Sequence, residues 1–378
     1  MIAGRTNNIG ASPAMDIMDR IRVLTSTGSD IINLSGGEPD FNAPEPVRAA
    51  LVAALNAGRT HYAPARGLTP LRRAIADKLN SKNCIDCDEG NILVTPGAKY
   101  AIFEAVMTLI NEGDEVLILE PAWVSYSAMV RMAGGVPVPV RLDYEQNYAI
   151  TKEALLSFVT EKTKLIIINT PCNPTGRVLN ADEAEAVRDV VLSRGLYVIA
   201  DEVYEKLIYD GRKHISLASY GDVADRVVTV NGFSKFAAMT GFRVGWLCAS
   251  DEIVSSCFKL HQHSVTCLPE FVQEAALAAL DCKDEVNAMY AAYERRRQMF
   301  CLELAPLNPM LPEGAFYLWL KFKGQDGSRL CGRLLDAGVG AVPGSAFGAS
   351  CTDCVRLCFA KDEGLLSIAA KRILTVLR

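Results

Sequence analysis

The chain has 378 residues, half of them hydrophobic, enough to bury a large core and to form one big unit beside a smaller one. Its 39 Lys and Arg against 44 Asp and Glu give a net charge of −5, with no basic stripe and no block of like charge. That balance argues against a nucleic-acid partner and leaves small molecules as the expected ligands.

The first residues, MIAGRTNNIGASPAMD, have neither the apolar core nor the basic start of an export signal, and no apolar run reaches membrane-spanning length. A cytoplasmic protein without a membrane partner is expected. Farther on, short apolar runs recur with helical patterns between them: ILVT at 92–95, EVLIL at 115–119, KLIIIN at 164–169, LYVIAD at 196–201 and RVVTVN at 226–231. Such alternation predicts an α/β fold with a mostly parallel sheet and helices on both faces. Ligands of such sheets bind beyond the carboxyl ends of the strands.

The run ILVT leads into Pro96, Gly97, Ala98 and Lys99 and then the helical pattern AKYAIFEAVMTLIN. Backbone amides of Gly97, Ala98 and Lys99 would thus sit at a helix N-terminus, where phosphates bind. A lone glycine there is more often only a turn. After EVLIL comes Trp123 in EPAWVSY, an indole that can stack on a flat ring, although most tryptophans simply pack. The run KLIIIN opens into NTPCNPTG, where two prolines and a glycine surround Asn173 and predict a rigid loop. The pattern ADEAEAVRDVVLSRG predicts a helix from Ala181 with Gly195 as its C-cap.

LYVIAD ends on Asp201 and continues as DEVY to Tyr204. An Asp at a strand end is commonly a helix N-cap; held in a poorly solvated place it can instead keep a ring nitrogen protonated. The next run enters NGFSKFAAMTGFRVGW, Asn231 to Trp246, with Ser234, Lys235 and Arg243. A crowded lysine loses its proton easily and can form a Schiff base with an aldehyde. An arginine eight positions on can grip a phosphate bidentately. Pyridoxal 5'-phosphate carries both groups.

From about Pro269 the texture becomes charged and alanine-rich, with MYAAYERRRQMF, then the apolar strand GAFYLWLKF and a terminal helix. The expected division is a large unit over 43–275 and a small one over 276–378 joined by residues 1–42. The twelve cysteines are expected as reduced thiols. Cys84 with Cys87 and Cys351 with Cys354 could in principle form a four-thiolate zinc site. Since 264 positions separate Cys87 from Cys351 and no histidine accompanies either pair, no metal is expected.

Taken in order, Gly97 to Lys99, Trp123, Asn173, Asp201, Tyr204, Ser234, Lys235 and Arg243 resemble the class I pyridoxal-phosphate aminotransferases of fold type I. The resemblance runs from GGEPDF at Gly36 to RLCFA at Arg356, and is strongest to the bacterial aspartate aminotransferase branch through HYAPARG, PAWVSY, NPTG, DEVY and SKFAAMTGFRVGW. It implies a large domain with a seven-stranded sheet, a smaller α+β domain from both chain ends, and a homodimer with shared active sites. It further implies Lys235 as Schiff-base lysine and proton shuttle, Asp201 on the pyridinium nitrogen, and Tyr204 and Asn173 on the phenolate oxygen. Trp123 would stack on the ring, while Gly97, Ala98, Lys99, Ser234 and Arg243 would surround the phosphate, joined by Tyr62 of the neighbouring subunit. Arg356, with Asn173 and the backbone of Gly37, would hold the substrate α-carboxylate.

The implied reaction is ping-pong amino transfer, with aspartate and 2-oxoglutarate favoured because Lys99 and Trp123 suit a distal carboxylate. Arg66 and the segment HQHSV, 261–265, are further candidates for the pocket wall. Aromatic, alanine or arginine donors and carbon–sulfur lyase chemistry are the alternatives, since the same fold and lysine serve them. Two departures stand out: Gly232 replaces a serine common in relatives, and Cys172 and Cys358 stand where small or hydroxyl residues are usual, so thiol oxidation would inhibit.

Overall fold

In the computed structural model, which describes residues 4–10 and 13–377, every apolar run singled out above is a strand. After β1 (Ile32–Asn33), a large sheet is built from β2 (Ile92–Thr95), β3 (Glu115–Glu120), β4 (Val136–Arg141), β5 (Thr163–Asn169), β6 (Tyr197–Asp201), β7 (Val227–Gly232) and β8 (Gly245–Cys248). Its order is β2-β8-β7-β6-β5-β3-β4. All pairs from β7 to β4 are parallel, whereas β8 runs antiparallel to both β2 and β7.

Successive side chains of a strand face opposite sides, and the sheet divides its residues that way. Leu165 and Ile167 enter one core with Leu93, Ile199, Val228 and Leu247. Ile166 and Ile168 enter the other with Val94, Val198, Val227 and Trp246. Helices Ala98–Leu109, Ser125–Met132 and Asp251–Ser264 bury Ile102, Met129 and Val254 in the first core. Helices Ala181–Arg194 and Glu270–Ala279 bury Val187 and Ala276 in the second. Asn180 and Glu183 form a reciprocal capping box at the start of Ala181–Arg194, and Gly195 ends it with φ +65, as expected. The edge strand β4 carries Pro137 and Pro139, residues that demote a strand in a sequence reading and are tolerated at an edge.

A smaller sheet is formed by β9 (Tyr317–Lys321), β11 (Val342–Pro343) and β12 (Cys354–Cys358), while β10 (Val339–Gly340) pairs with β1. Ile32 lies opposite Val339, which ties the early chain to its end. Helices Lys283–Glu303 and Glu363–Leu377 close over this sheet, and their core also takes Leu34 from near the N-terminus and Tyr204 and Leu207 from beyond β6. Residues 1–3, 11, 12 and 378 of the expected terminal segments lie outside the described residues. Among the described residues no helix is long and apolar enough to cross a membrane. All twelve cysteines are free thiols; Cys351 and Cys354 pack beside Trp319, and Cys87 packs against the large-sheet core.

Candidate active site

Because β8 is reversed, its first residue lies at the same sheet edge as the last residues of β2 and β7: Gly245 is opposite both Thr95 and Gly232. That edge opens on a cavity of about 520 Å³. Gly37, Ala98, Lys99, Trp123 and Asn173 line it, as do Asp201, Tyr204, Ser234, Lys235, Arg243 and Arg356. Residues from both ends of the chain thus meet over the large sheet.

Asp201, the last residue of β6, is 4% exposed. Its Oδ2 accepts from the Tyr126 hydroxyl at 2.6 Å and its Oδ1 from Val203 N at 3.3 Å. Burial pushes its pKa up to about 6, with Tyr126 and Val203 pulling the other way. Two hydrogen bonds tie the loop after β5 to the strand ends: Asn169 Oδ1 accepts from Asn173 N at 2.7 Å, and Asn169 Nδ2 donates to Asp201 O at 2.9 Å.

Lys235 lies in the short helix Phe233–Phe236 that follows β7, and Nζ donates to Gly37 O at 2.5 Å. Burial lowers its pKa to about 8, against the raising effects of Cys358 and Glu38. Arg243 has φ +56 and donates to Thr240 O at 2.9 Å and to Pro96 O at 3.4 Å. It lies against Gly97, which has φ +83 at the start of helix Ala98–Leu109; a Cβ there would come within 2.5 Å of Arg243 Nη2. Lys99 Nζ stands 4.8 Å from the Trp123 ring centre, and its pKa is lowered by burial and by Arg243.

Arg356 comes from β12 and is 5% exposed. It donates to Asn173 Oδ1 at 2.8 Å and to Ser35 O at 2.6 Å, and its Nε is buried without a hydrogen-bond partner. Tyr204 shares a 2.7 Å hydroxyl contact with Tyr317. Lys99, Asp201, Lys235, Arg243 and Arg356 therefore all face one cavity, and none forms an ion pair with another described residue.

Some candidates stand apart. Tyr62 is 88% exposed and does not line this cavity. Arg66 is not in its wall either, but lies 4.7 Å from the Phe258 ring centre and donates to Gly90 O. His261 is wholly buried, its Nδ1 2.8 Å from Glu104 Oε1, so the 261–265 segment supplies a core contact. Gly232 has a steric reason: a Cβ would lie 2.9 Å from Val244 O and 3.0 Å from Gly245 Cα. Cys172 and Cys358 are absent from the cavity lining, and burial raises both pKa values, keeping them as thiols.

The sequence reading missed Tyr126, Tyr317, Ser35 and Phe347, all of which line or back the site. Tyr126 was within reach, three residues after Trp123 in PAWVSY; Tyr317 was visible only as part of an apolar strand.

Comparison with known proteins agrees with this geometry. Residues 29–373 match the family model described as aminotransferase class I and II. The chain is 39% identical to an aspartate aminotransferase of Musicola paradisiaca, covering 95% of this chain and 92% of the relative. The solved aspartate aminotransferase of Thermus thermophilus with maleate superposes with a TM-score of 0.95 at 34% identity, over all of both chains. An aromatic aminotransferase from Pyrococcus horikoshii OT3 gives 0.90 at 39%, covering 96% of this chain and 98% of that one. By sequence along nearly its whole length and by fold, the chain belongs to the class I and II aminotransferases, pyridoxal-phosphate-dependent transaminases of fold type I that work by a ping-pong mechanism.

Proposed function

We propose that this transaminase binds pyridoxal 5'-phosphate in the 520 Å³ cavity and moves the amino group of L-aspartate to 2-oxoglutarate. The observation that carries the reading is the set of five charged side chains without ion-pair partners. Each matches a group of the cofactor or of a dicarboxylic amino acid. When bound, the cofactor supplies an aldehyde to take up the amino group and a protonated ring to withdraw electrons from Cα.

The chain's own residues do the rest. Arg243, Ser234 and the amides of Gly97, Ala98 and Lys99 would hold the phosphate, in the neighbourhood of a helix N-terminus. Asp201 would pair with the ring nitrogen, a cation that offsets the cost of burying its carboxylate. Tyr204 and Asn173 would donate to the phenolate oxygen, and Trp123 would cover the ring. Arg356, helped by Asn173 and Gly37, would orient the α-carboxylate so that the α-proton faces Lys235. Lys235, with its lowered pKa, would take that proton from Cα and return it at the cofactor's carbon.

Aspartate is supported by the name of the Musicola relative and by Lys99, a cation facing the cavity. An aromatic donor is the second reading, favoured by the Pyrococcus likeness. We also propose a homodimer, in which the exposed Tyr62 reaches the partner's phosphate, and a division into 1–42 with 276–378 and 43–275, supported by the pairing of β1 with β10. The test is spectral: the protein loaded with pyridoxal 5'-phosphate is mixed with single amino acids, and conversion by aspartate, reversed by 2-oxoglutarate, is expected. Faster conversion by phenylalanine or tyrosine selects the second reading. Pyruvate and ammonia from cystathionine would instead indicate lyase chemistry.

A further inference from the structure

Tyr317, the first residue of β9, is 1% exposed and touches three separate parts of the site. Its hydroxyl is 2.7 Å from that of Tyr204. A Cβ on Gly37 would lie 2.6 Å from the same oxygen, so the loop whose Gly37 carbonyl accepts from Lys235 is pressed against it. Over its ring, 4.4 Å from the centre, sits the guanidinium of Arg356.

The direction of the Tyr204–Tyr317 bond decides what the cavity sees. Each hydroxyl has one proton, and burial keeps both hydroxyls protonated by raising their pKa values. Among the described residues Tyr317 Oη has no other hydrogen-bond partner. Both tyrosines line the cavity, and Tyr204 has a single proton to give. Where the Tyr204 proton points inward, as donation to the phenolate oxygen requires, the 2.7 Å bond is donated by Tyr317, whose own proton is then satisfied. A hydroxyl that accepts one bond also donates the next more strongly.

We propose that Tyr317 is a positioning residue of the transamination site: its hydroxyl donates to Tyr204, directing the Tyr204 proton at the cofactor's phenolate oxygen, while its ring supports Arg356 at the substrate end. This rests on the cofactor reading above. It makes Tyr317 a link between the strand that presents the carboxylate-binding arginine and the tyrosine beside the ring.

Tyr317→Phe removes the hydroxyl and keeps the ring. Donation to a phenolate favours its anionic form, so weakening it raises the pH at which the bound chromophore loses its proton. In protein loaded with pyridoxal 5'-phosphate, the pH midpoint of the visible absorbance is expected to rise by about half to one unit in Tyr317→Phe. In Tyr204→Phe it should rise further, and the double variant should match Tyr204→Phe alone, since the effect passes through Tyr204. KM for aspartate should stay within about twofold in Tyr317→Phe, because the ring under Arg356 remains. An unshifted midpoint in Tyr317→Phe, or shifts that add fully in the double variant, would overturn the proposal. A raised KM with an unshifted midpoint would reduce Tyr317 to a packing residue. If the wild-type protein takes up no chromophore at all, the cofactor reading fails and this inference with it.

Discussion

Arg356 donates from Nη1 to Oδ1 of Asn173 across 2.8 Å, joining residues 183 positions apart in the chain. Arginine has no acceptor, so the contact orients the Asn173 amide with its oxygen toward Arg356 and its NH₂ left for another partner. One guanidinium thereby sets the geometry of a second group in the site. A lysine cannot keep both this bond and the one to Ser35 O. Arg356→Lys is expected to lower kcat/KM for amino acid and 2-oxo acid alike by about 100-fold, a loss of roughly 3 kcal/mol. Steady-state kinetics with both substrates checks this; an effect on only one of them would count against a shared α-carboxylate clamp.

Lys235→Ala should abolish turnover, with a loss of about 10⁴-fold, the upper range for removing an acid–base group. The variant should also lose the visible absorbance that the wild type acquires with pyridoxal 5'-phosphate. Added small amines would restore part of the activity if the missing function is proton transfer.

The amine of Lys235 has its own pH signature. Burial disfavours the ammonium form and brings the pKa down to about 8, so the neutral amine dominates above that pH and falls about tenfold per unit below it. The rate at which cofactor-free protein takes up pyridoxal 5'-phosphate should therefore rise to about pH 8 and level off. A rate still climbing at pH 10 would indicate an ordinary exposed lysine.

Glu205 supplies a stability test away from the cavity. Burial alone would raise its pKa, but Lys78 and His214, with the hydrogen bond from Asn83, outweigh that and hold it down to about 2. The sign follows: a folded pKa below the unfolded one contributes stability that is complete above about pH 4.5 and is lost as pH falls toward about 2. The full amount is on the order of 3 kcal/mol. Lys78→Met should destabilise by a similar amount at pH 7 and by clearly less at pH 4, read as urea midpoints. Equal losses at both pH values would mean that the pair contributes only packing.

Asp201→Asn removes the carboxylate proposed to hold the ring nitrogen. Weaker cofactor binding and a kcat reduced by about 10²-fold or more are expected. Tyr126→Phe, which takes away only the 2.6 Å bond to Asp201, should cost about 1 kcal/mol, or fivefold. Equilibrium dialysis of the cofactor separates the two.

How much of this was legible in the sequence differs from element to element. The central strands were, because β5, β6 and β7 are continuous apolar runs of the kind a doubly covered parallel sheet demands. β4 was not, because Pro137 and Pro139 hide an edge strand from any reading of β propensity. Lys235, Asp201 and Asn173 stood out by their place just after strands. Arg356 had no such local signal and entered through its motif, and Tyr317 had none at all, lying inside an apolar strand among other aromatics.

By itself the chain determined the central strands and the helices between them, and that chemical residues would collect at one edge of a parallel sheet, because periodicity and turn residues act over a few positions. Only the tertiary structure decided the rest. The reversal of β8 brings Arg243 level with the helix that starts at Ala98. The pairing of β1 with β10 and the packing of β12 against β9 bring Ser35, Tyr317 and Arg356 over Lys235 and Tyr204. Most of those contacts join residues a hundred or more positions apart, and even Arg356 and its β9 partner Trp319 stand 37 apart; they come from the burial of faces against one another, which no local window of sequence contains.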